Sequence, residues 1–346
     1  MKVLIAAKDP FLFGMIAAYE NLGFEVTLGK DAFQQRQGDF DLVHFMWPEV
    51  FCWGKEPEDS LIDEIREHLD WWRDRTRLIV SVNNHFPHGF VGNSQYHQLY
   101  SLFYEKCHAI HHFSESSKRL VLKDWPTSTA TPQLVTHPVN YDHLLEQPQA
   151  SRGDFKRELG FSNDDFVLLL FGAVRNWQEA SLIIRSLTLH RVPKLKVLNA
   201  ARYRRTPGSY RSGACKLAWK LWSRSQCARF EEDRMVPEAE VHKYMTACDG
   251  VIVPRVESLS SGIPLLAMTF GRCIIAPDGG AFRDYLDGTS NLLYQPGSAK
   301  SLRTAIRELA STDRKSIEET NAHIAAEWTW NSVVRQCVRF TGINED

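Results

Sequence analysis

The sequence predicts an α/β chain made of two Rossmann-like halves, each a parallel sheet flanked by helices. Three observations predict it. Short apolar runs alternate with helical segments from the first residue onward, the rhythm of βαβ units with right-handed crossovers. That rhythm stops at 146–153, a polar stretch holding Pro148 and Gly153 that lacks apolar periodicity and reads as a domain linker. It begins again at the apolar run 166–171, and 346 residues are long for one core but comfortable for two. An N-terminal domain over 1–147 and a second domain over 148–325 are therefore expected, followed by a last helix near 328–340.

Taken in order, 1–7 is a strand, 11–22 a helix stopped by Gly23, and 24–29 a second strand. Buried strands follow at 41–46 and 78–82, with a long helix around 60–73 between them. A strand at 109–113 precedes a helix at 115–122, for which Ser114 is a good cap, and a short strand at 133–137 closes the first half. After a short helix the second half carries strands at 166–171, 195–199, 228–230, 250–253 and 273–276. There is no internal repeat and no low-complexity tract.

With 43% hydrophobic and 24% charged residues, the composition is that of an ordinary globular protein. A formal net charge of -1 gives no global case for nucleic acid or membrane, so any such case is local. No apolar run approaches the roughly 20 residues of a spanning helix. The first strand starts at residue one, so no signal peptide is expected. Seven scattered cysteines without a CxxC pattern favour reduced thiols over a disulfide framework or a zinc site, so a cytoplasmic location is expected.

The most informative stretch is 247–275. It reads as a buried strand, a polar loop at 254–259, a Ser260-Ser261-Gly262 turn, an apolar helix, and Gly271 leading into another buried strand. In a parallel sheet such a loop lies at the carboxyl end of a strand, where open α/β sheets bind ligands. Ser260 or Ser261 can cap the helix, and its first N–H groups favour an anion. A second such place is 171–178, where a buried strand ending at Gly172 is followed by Arg175, whose guanidinium can fork onto a diphosphate. The plain alternatives are a helix cap and an exposed loop arginine.

The spacing of these segments resembles the donor-binding part of GT-B glycosyltransferases of the GT4-like families, which use nucleotide-sugars. It is most similar to the branch of bacterial GumI-type mannosyltransferases, where a Thr/Ser-Ser-Gly turn precedes an apolar helix and an end like Thr269-Phe270-Gly271-Arg272. The resemblance runs in order along nearly the whole chain and is strongest over 166–296. It implies the GT-B architecture: two Rossmann-like domains whose parallel sheets face an interdomain cleft, with the segment 326–346 packing back on the first domain. It also implies that Gly172, Arg175, Arg255, Glu257, Ser260, Ser261 and Gly262 hold the nucleotide-sugar. The chain departs from the pattern in two places. Gln178 stands where a phosphate-neutralising Lys is usual, which shifts that load to Arg175, Arg255, Arg202 or Arg204. Ser258 and Leu266 stand where retaining members carry two Glu residues eight apart, the second holding the ribose. A Leu accepts no hydrogen bond, so the reading tilts toward inverting transfer.

Inverting transfer needs a general base on the acceptor side, which the first domain should supply. Two of its segments resemble motifs of the same branch. One runs from Asp41 and His44 to Trp47-Pro48-Glu49, the other from Asn83-Asn84-His85 to Pro87-His88. Both put polar residues directly after a buried strand, so Glu49, His85 and His88 are the candidates, with Asp9 a weaker fourth. Asp39-Phe40-Asp41 is a DxD string, but it precedes its strand, the wrong end of a sheet for a metal, so no catalytic metal and no cofactor beyond the nucleotide-sugar substrate is expected. Thr136–Asn140 reads as hinge material, and Asp278-Gly279-Gly280 as a turn or a donor-sugar contact.

One local charge pattern remains. Residues 202–229 hold eight Lys/Arg and no acidic residue, with Trp219 and Trp222 inside a basic amphipathic helix. Such a helix either packs its aromatic stripe on the core or rests on an anionic leaflet, which would make the protein peripheral on the inner face of a membrane. No nucleic-acid module accompanies it. The function expected is therefore transfer of a sugar, GDP-mannose being one candidate donor, to a glycan or lipid-linked glycan in polysaccharide biosynthesis. A degenerate accessory protein and a sugar-nucleotide epimerase are the alternatives.

Overall fold

A computed structural model of the chain describes residues 1–9, 12–87, 90–146, 150–188, 192–204, 210–231, 234, 236–255 and 261–343. The chain forms two compact units, one of 1–139 with 328–346, the other of 140–327. The elements of the first are β1 (Lys2–Ile5), α1 (Phe13–Asn21), β2 (Glu25–Leu28), α2 (Asp31–Gln34), β3 (Leu42–Phe45), α3 (Asp59–Arg73), β4 (Arg77–Val82), α4 (Ser94–Lys106), β5 (Ala109–His112), α5 (Glu115–Asp124) and β6 (Gln133–Val135). Those of the second are α6 (Arg152–Glu158), β7 (Phe166–Val174), α7 (Trp177–Leu187), β8 (Leu195–Tyr203), α8 (Tyr210–Gln226), β9 (Arg229–Phe230), α9 (Glu238–Ala247), β10 (Gly250–Ile252), α10 (Gly262–Thr269), β11 (Cys273–Pro277), α11 (Ala281–Leu286), β12 (Leu292–Tyr294), α12 (Ala299–Ser311) and α13 (Arg314–Glu327). α14 (Trp330–Phe340) returns the chain to the first unit.

The break between units falls at Val139–Asn140, within the segment read as a hinge. The polar stretch 146–153 lies inside the second unit, where Ser151 and Asp154 form a capping box that starts α6.

Each unit is built on a six-stranded, wholly parallel sheet, as the alternation of strands and helices predicts. The first sheet runs β2-β1-β3-β4-β5-β6 and the second β12-β11-β10-β7-β8-β9. Central strands are buried on both faces because helices cover both: all four residues of β3 and all three of β10 are buried. Period-two alternation sorts them. Val3, Ile5 and Leu42 join α1 and α14 in one cluster, while Leu4, Val43 and Phe45 join Ile65, Leu69, Trp72 and Phe103 from α3 and α4 in the other.

α14 is held in the first unit by Val333, Val334, Cys337 and Val338, all buried, and by Trp330, whose ring fills the space beside Gly14 that a larger residue would need. Asp41, from the DxD string, precedes β3 and accepts a hydrogen bond from the Lys2 backbone N–H at 2.6 Å.

A polar chain crosses the first sheet through its core. Tyr19 Oη lies 2.8 Å from His44 Nδ1, His44 Nε2 2.7 Å from Ser81 Oγ, Ser81 Oγ 2.7 Å from His111 Nδ1, and His111 Nε2 2.8 Å from Thr136 Oγ1. Thr136 in turn donates to the His137 carbonyl. That last donation makes His111 Nε2 a donor, and with both imidazoles kept neutral by burial the rest of the chain follows: each is protonated on Nε2 and accepts on Nδ1. Burial pulls the pKa of His44 down to about 3 and that of His111 well below its usual range.

Candidate functional site

The second sheet has the order in which strand succession reverses between β7, the first strand of the unit, and β10, the fourth. At such a reversal the loops after the two strands turn to opposite faces of the sheet and leave a crevice at the carboxyl edge. A cavity of about 820 Å³ opens there, within the roughly 300–1,000 Å³ typical of small-ligand sites.

Its polar end is made by the chain leaving β7 and β10. Gly172 takes φ +81°, a left-handed backbone that suits glycine, and a Cβ there would come within 3.2 Å of Ile263. The backbone then delivers Arg175 to the cavity wall. Asn176 caps α7 by accepting the Glu179 N–H at 3.0 Å, and Glu179 reaches back to accept the Arg175 N–H at 2.7 Å. The same Glu179 oxygen accepts from Arg255 Nη1 at 2.7 Å, with both side chains about 4% exposed. Arg255 Nη1 also donates to the Ala173 carbonyl at 2.7 Å, while its buried Nε finds no protein partner among the described residues. Arg204 follows β8 directly, and its backbone N–H donates to Val174 O at 2.8 Å. The Arg175 pKa is lowered by burial first and then by Arg255 and Arg204, against the pull of Glu179. Arg175 and Arg255 thus stand together at adjacent strand ends with Glu179 between them, the Arg204 charge acts on Arg175, and Glu238 is the other carboxylate in the wall.

The opposite wall is α10. Ser261 occupies its N-cap position but makes no side-chain cap, and Pro264 brings no N–H, so the first-turn N–H groups of Gly262 and Ile263 are not capped by Ser261. A Cβ at Gly262 would meet the Tyr141 hydroxyl, so a larger residue there would displace that side chain. Tyr141 is itself fixed by its backbone N–H donating to Thr269 Oγ1 at 3.1 Å. Leu266 lines the wall one turn on, with Val241, Leu144 and Ile263. The cavity is thus cationic at one end and apolar along α10. Anions are favoured at a helix start by about 0.3–1 kcal/mol, so the arginines carry most of the attraction.

Arg175, Arg255, Gly172, Ser261 and Gly262, read from the sequence as donor contacts, therefore meet in one cavity. Glu257 and Ser260 lie outside the described residues. Gln178 is exposed on α7 and is not part of the wall. Sequence reasoning missed Glu179 and Tyr141. The Asn176-x-x-Glu179 spacing was readable as a helix cap, but nothing local tells that Glu179 also pairs with Arg255, which stands 76 residues away.

In the first unit the two motif segments meet. Glu49, in a 3-10 turn over Pro48–Phe51, is 5% exposed; its Oε1 accepts from Asn84 Nδ2 at 3.1 Å and its Oε2 from Tyr100 at 2.6 Å. Burial raises its pKa, while the hydrogen bonds from Tyr100 and Asn84 oppose the rise. His85 Nε2 lies 2.7 Å from Asp124 Oδ2, and the ring stands edge-on to Trp125; burial lowers its pKa against the pull of Asp124. His88 lies outside the described residues. In this arrangement Glu49 ties the ends of β3 and β4 together, and His85 belongs to an aromatic cluster with Phe86 and Trp125.

No helix among the described residues is long and apolar enough to cross a membrane. In α8, Trp219 and Trp222 are buried in the core of the unit, whereas Leu217 and Leu221 are 58% and 57% exposed.

No protein-family model and no curated protein sequence matches the chain. Solved structures match its fold. HepE from Anabaena, in complex with UDP-glucose, superposes with a TM-score of 0.71 over 99% of both chains at 14% identity. Sucrose-phosphate synthase from Thermosynechococcus elongatus gives 0.69 at 13% identity, over 98% of this chain and 97% of that one. A putative UDP-N-acetylglucosamine 2-epimerase from Listeria monocytogenes gives 0.58 at 12% identity, over 99% and 98%. Likeness at this level of identity establishes the fold: the chain has the two-sheet architecture of GT-B glycosyltransferases.

Proposed function

We propose that the chain is a glycosyltransferase of the GT4-like kind, allied to the GumI-type branch, that takes its sugar from a nucleotide-sugar bound in the second unit. The observation that carries this reading is the meeting of Arg175, Arg255 and the start of α10 at the strand-order reversal, around a cavity sized for a nucleotide. The diphosphate of the donor lies against Arg175 and the N–H groups of Gly262 and Ile263, with Arg255 beneath. As the glycosidic bond to the diphosphate breaks, negative charge grows on the leaving oxygens. The Arg255 guanidinium, already fixed by Glu179 and the Ala173 carbonyl, meets that charge without reorganising, and Arg175 stands beside it in the wall. Leu266 offers no acceptor to a ribose hydroxyl or to the reacting sugar, which supports inverting transfer with a base from the first unit, where Glu49, His85 and His88 are the residues to test. The acceptor is a glycan or a lipid-linked glycan. The exposed Leu217–Leu221 face, flanked by Lys216, Lys220 and Arg224, is the part of 202–229 that meets an anionic leaflet.

The test is consumption of donor. The protein is incubated with GDP-mannose, UDP-glucose, UDP-N-acetylglucosamine and ADP-glucose, with and without oligosaccharide acceptors. Released nucleoside diphosphate and the fate of the sugar are followed by NMR. One donor should be consumed with release of its diphosphate, and Arg175→Ala should lower kcat/KM by about 10²-fold, the typical effect of losing one preorganised charge contact. A donor isomerised without diphosphate release would replace this reading with the epimerase. No consumption of any donor would leave the accessory-protein reading.

A further inference from the structure

The first sheet has its own reversal of strand order, between β1 and β3, and its carboxyl edge there holds a second cavity of about 370 Å³. Ala7, Lys8 and Asp9 line it from the chain leaving β1, and Trp47, Val50 and Trp53 from the chain leaving β3. Of the described base candidates, Glu49 and His85 are not in its wall, whereas Asp9, the weaker candidate, is. We propose that this cavity is a binding subsite for one neutral hexopyranose ring of the acceptor, with Trp53 as its stacking platform.

The two tryptophans stand at 88° with ring centroids 6.3 Å apart, so they form a corner rather than a closed stack. Trp53 is 62% exposed, unusual for so large an apolar side chain. Its exposure is built rather than frayed. The turn that presents it closes with Lys55 N–H donating to Cys52 O at 2.8 Å, and Gly54 takes φ +77° to allow that turn. Tyr96, fully buried at the start of α4, donates its hydroxyl to Lys55 O at 2.6 Å and pins the turn to the core.

A pyranose has a C–H face that packs on an aromatic ring and a rim of hydroxyls that both donate and accept. The corner offers the ring. Lys8 and Asp9, adjacent and opposite in charge, offer a donor and an acceptor beside it. The volume suits one sugar ring, less than half of the nucleotide-sized cavity of the second unit. Among the described residues Lys8 is the one cation in its wall, and Asp9 stands beside it, which disfavours a phosphate.

The role as acceptor subsite rests on the transferase reading, and the test separates the two. Methyl α-D-mannopyranoside and methyl β-D-glucopyranoside are titrated into the full-length protein to tens of millimolar, with saturation-transfer NMR as the readout. Nucleoside diphosphate binding is measured on the same samples by calorimetry. At least one glycoside should bind saturably, with its ring C–H protons receiving more saturation than its methyl group. Trp53→Ala should weaken that binding by at least about tenfold, and Trp53→Phe should retain most of it. Trp177→Ala, which removes an exposed tryptophan of the second unit, should leave it unchanged, and all three variants should keep the wild-type Tm and nucleotide affinity. If neither glycoside binds, or Trp53→Ala binds as well as wild type, the subsite is refuted even where nucleotide binds. Glycoside binding lost in Trp53→Ala without any nucleotide binding would keep the subsite and remove the transferase.

Discussion

At the scale of single residues, Glu179 is the position on which the proposed donor site depends. It is buried, caps the Arg175 N–H and neutralises Arg255 in one stroke. Replacing it by Gln leaves the Arg255 charge buried and uncompensated, so Glu179→Gln should lose about 3–5 kcal/mol of unfolding free energy in urea. The double change Glu179→Leu with Arg255→Met should recover most of that stability and still abolish nucleotide binding. Part of this site is legible in sequence. Arg175 after an apolar strand and the Ser261-Gly262 start of an apolar helix announce strand ends and helix starts, which is where anions bind. The Arg255–Glu179 pair is not legible, because residues far apart in the chain become neighbours only once β10 has paired with β7.

Among the elements, the first sheet carries the clearest pH signature. His44 is pulled down to about 3, His112 to about 4, and His111 well below 6.5, all chiefly by burial. In the unfolded chain each takes up a proton near pH 6.5. Below that pH the unfolded state therefore binds more protons, and stability falls as pH drops from about 6.5 toward 4, by up to about 1.4 kcal/mol per pH unit for each histidine. Urea titrations at pH 7, 6 and 5 should show that slope and little change above pH 7, and His111→Gln should reduce it by one proton. In α8 the aromatic stripe of the amphipathic pattern packs on the core, and membrane contact by the remaining face is a proposal. The tryptophans face the core, which leaves Leu217 and Leu221 outside with Lys216, Lys220 and Arg224 along one flank. With each near-surface cation worth about 1 kcal/mol at an anionic leaflet, wild type should sediment with phosphatidylglycerol vesicles. Leu217→Asp with Leu221→Asp should not, and its Tm should be unchanged. Several elements escaped the sequence, among them α2, α4, α9, α11, α12, α13 and β12, and two show why. α4 is rich in tyrosine and begins at Asn93, whose side chain caps Tyr96, so tertiary packing of Tyr96, Tyr100 and Phe103 makes it helical rather than propensity. β12 has three residues, too few for a period to register.

For the whole molecule, alternation of strand and helix was enough to read two parallel sheets. Strand order was not readable, since apolar patterning says that a strand is buried but not which strands lie beside it. The reversals between β1 and β3 and between β7 and β10 are thus findings of the structure, and both cavities lie at them. The central claim is that the reversal in the second sheet holds the diphosphate of a nucleotide-sugar. The most direct test is calorimetric titration of UDP, GDP, ADP and CDP, and of the matching monophosphates, into wild type and Arg175→Ala. One diphosphate should bind, its monophosphate should bind at least about tenfold more weakly, and Arg175→Ala should lose a similar factor, about 1.4 kcal/mol or more. Absence of binding by every diphosphate at millimolar concentration, or equal affinity in wild type and Arg175→Ala, would contradict it.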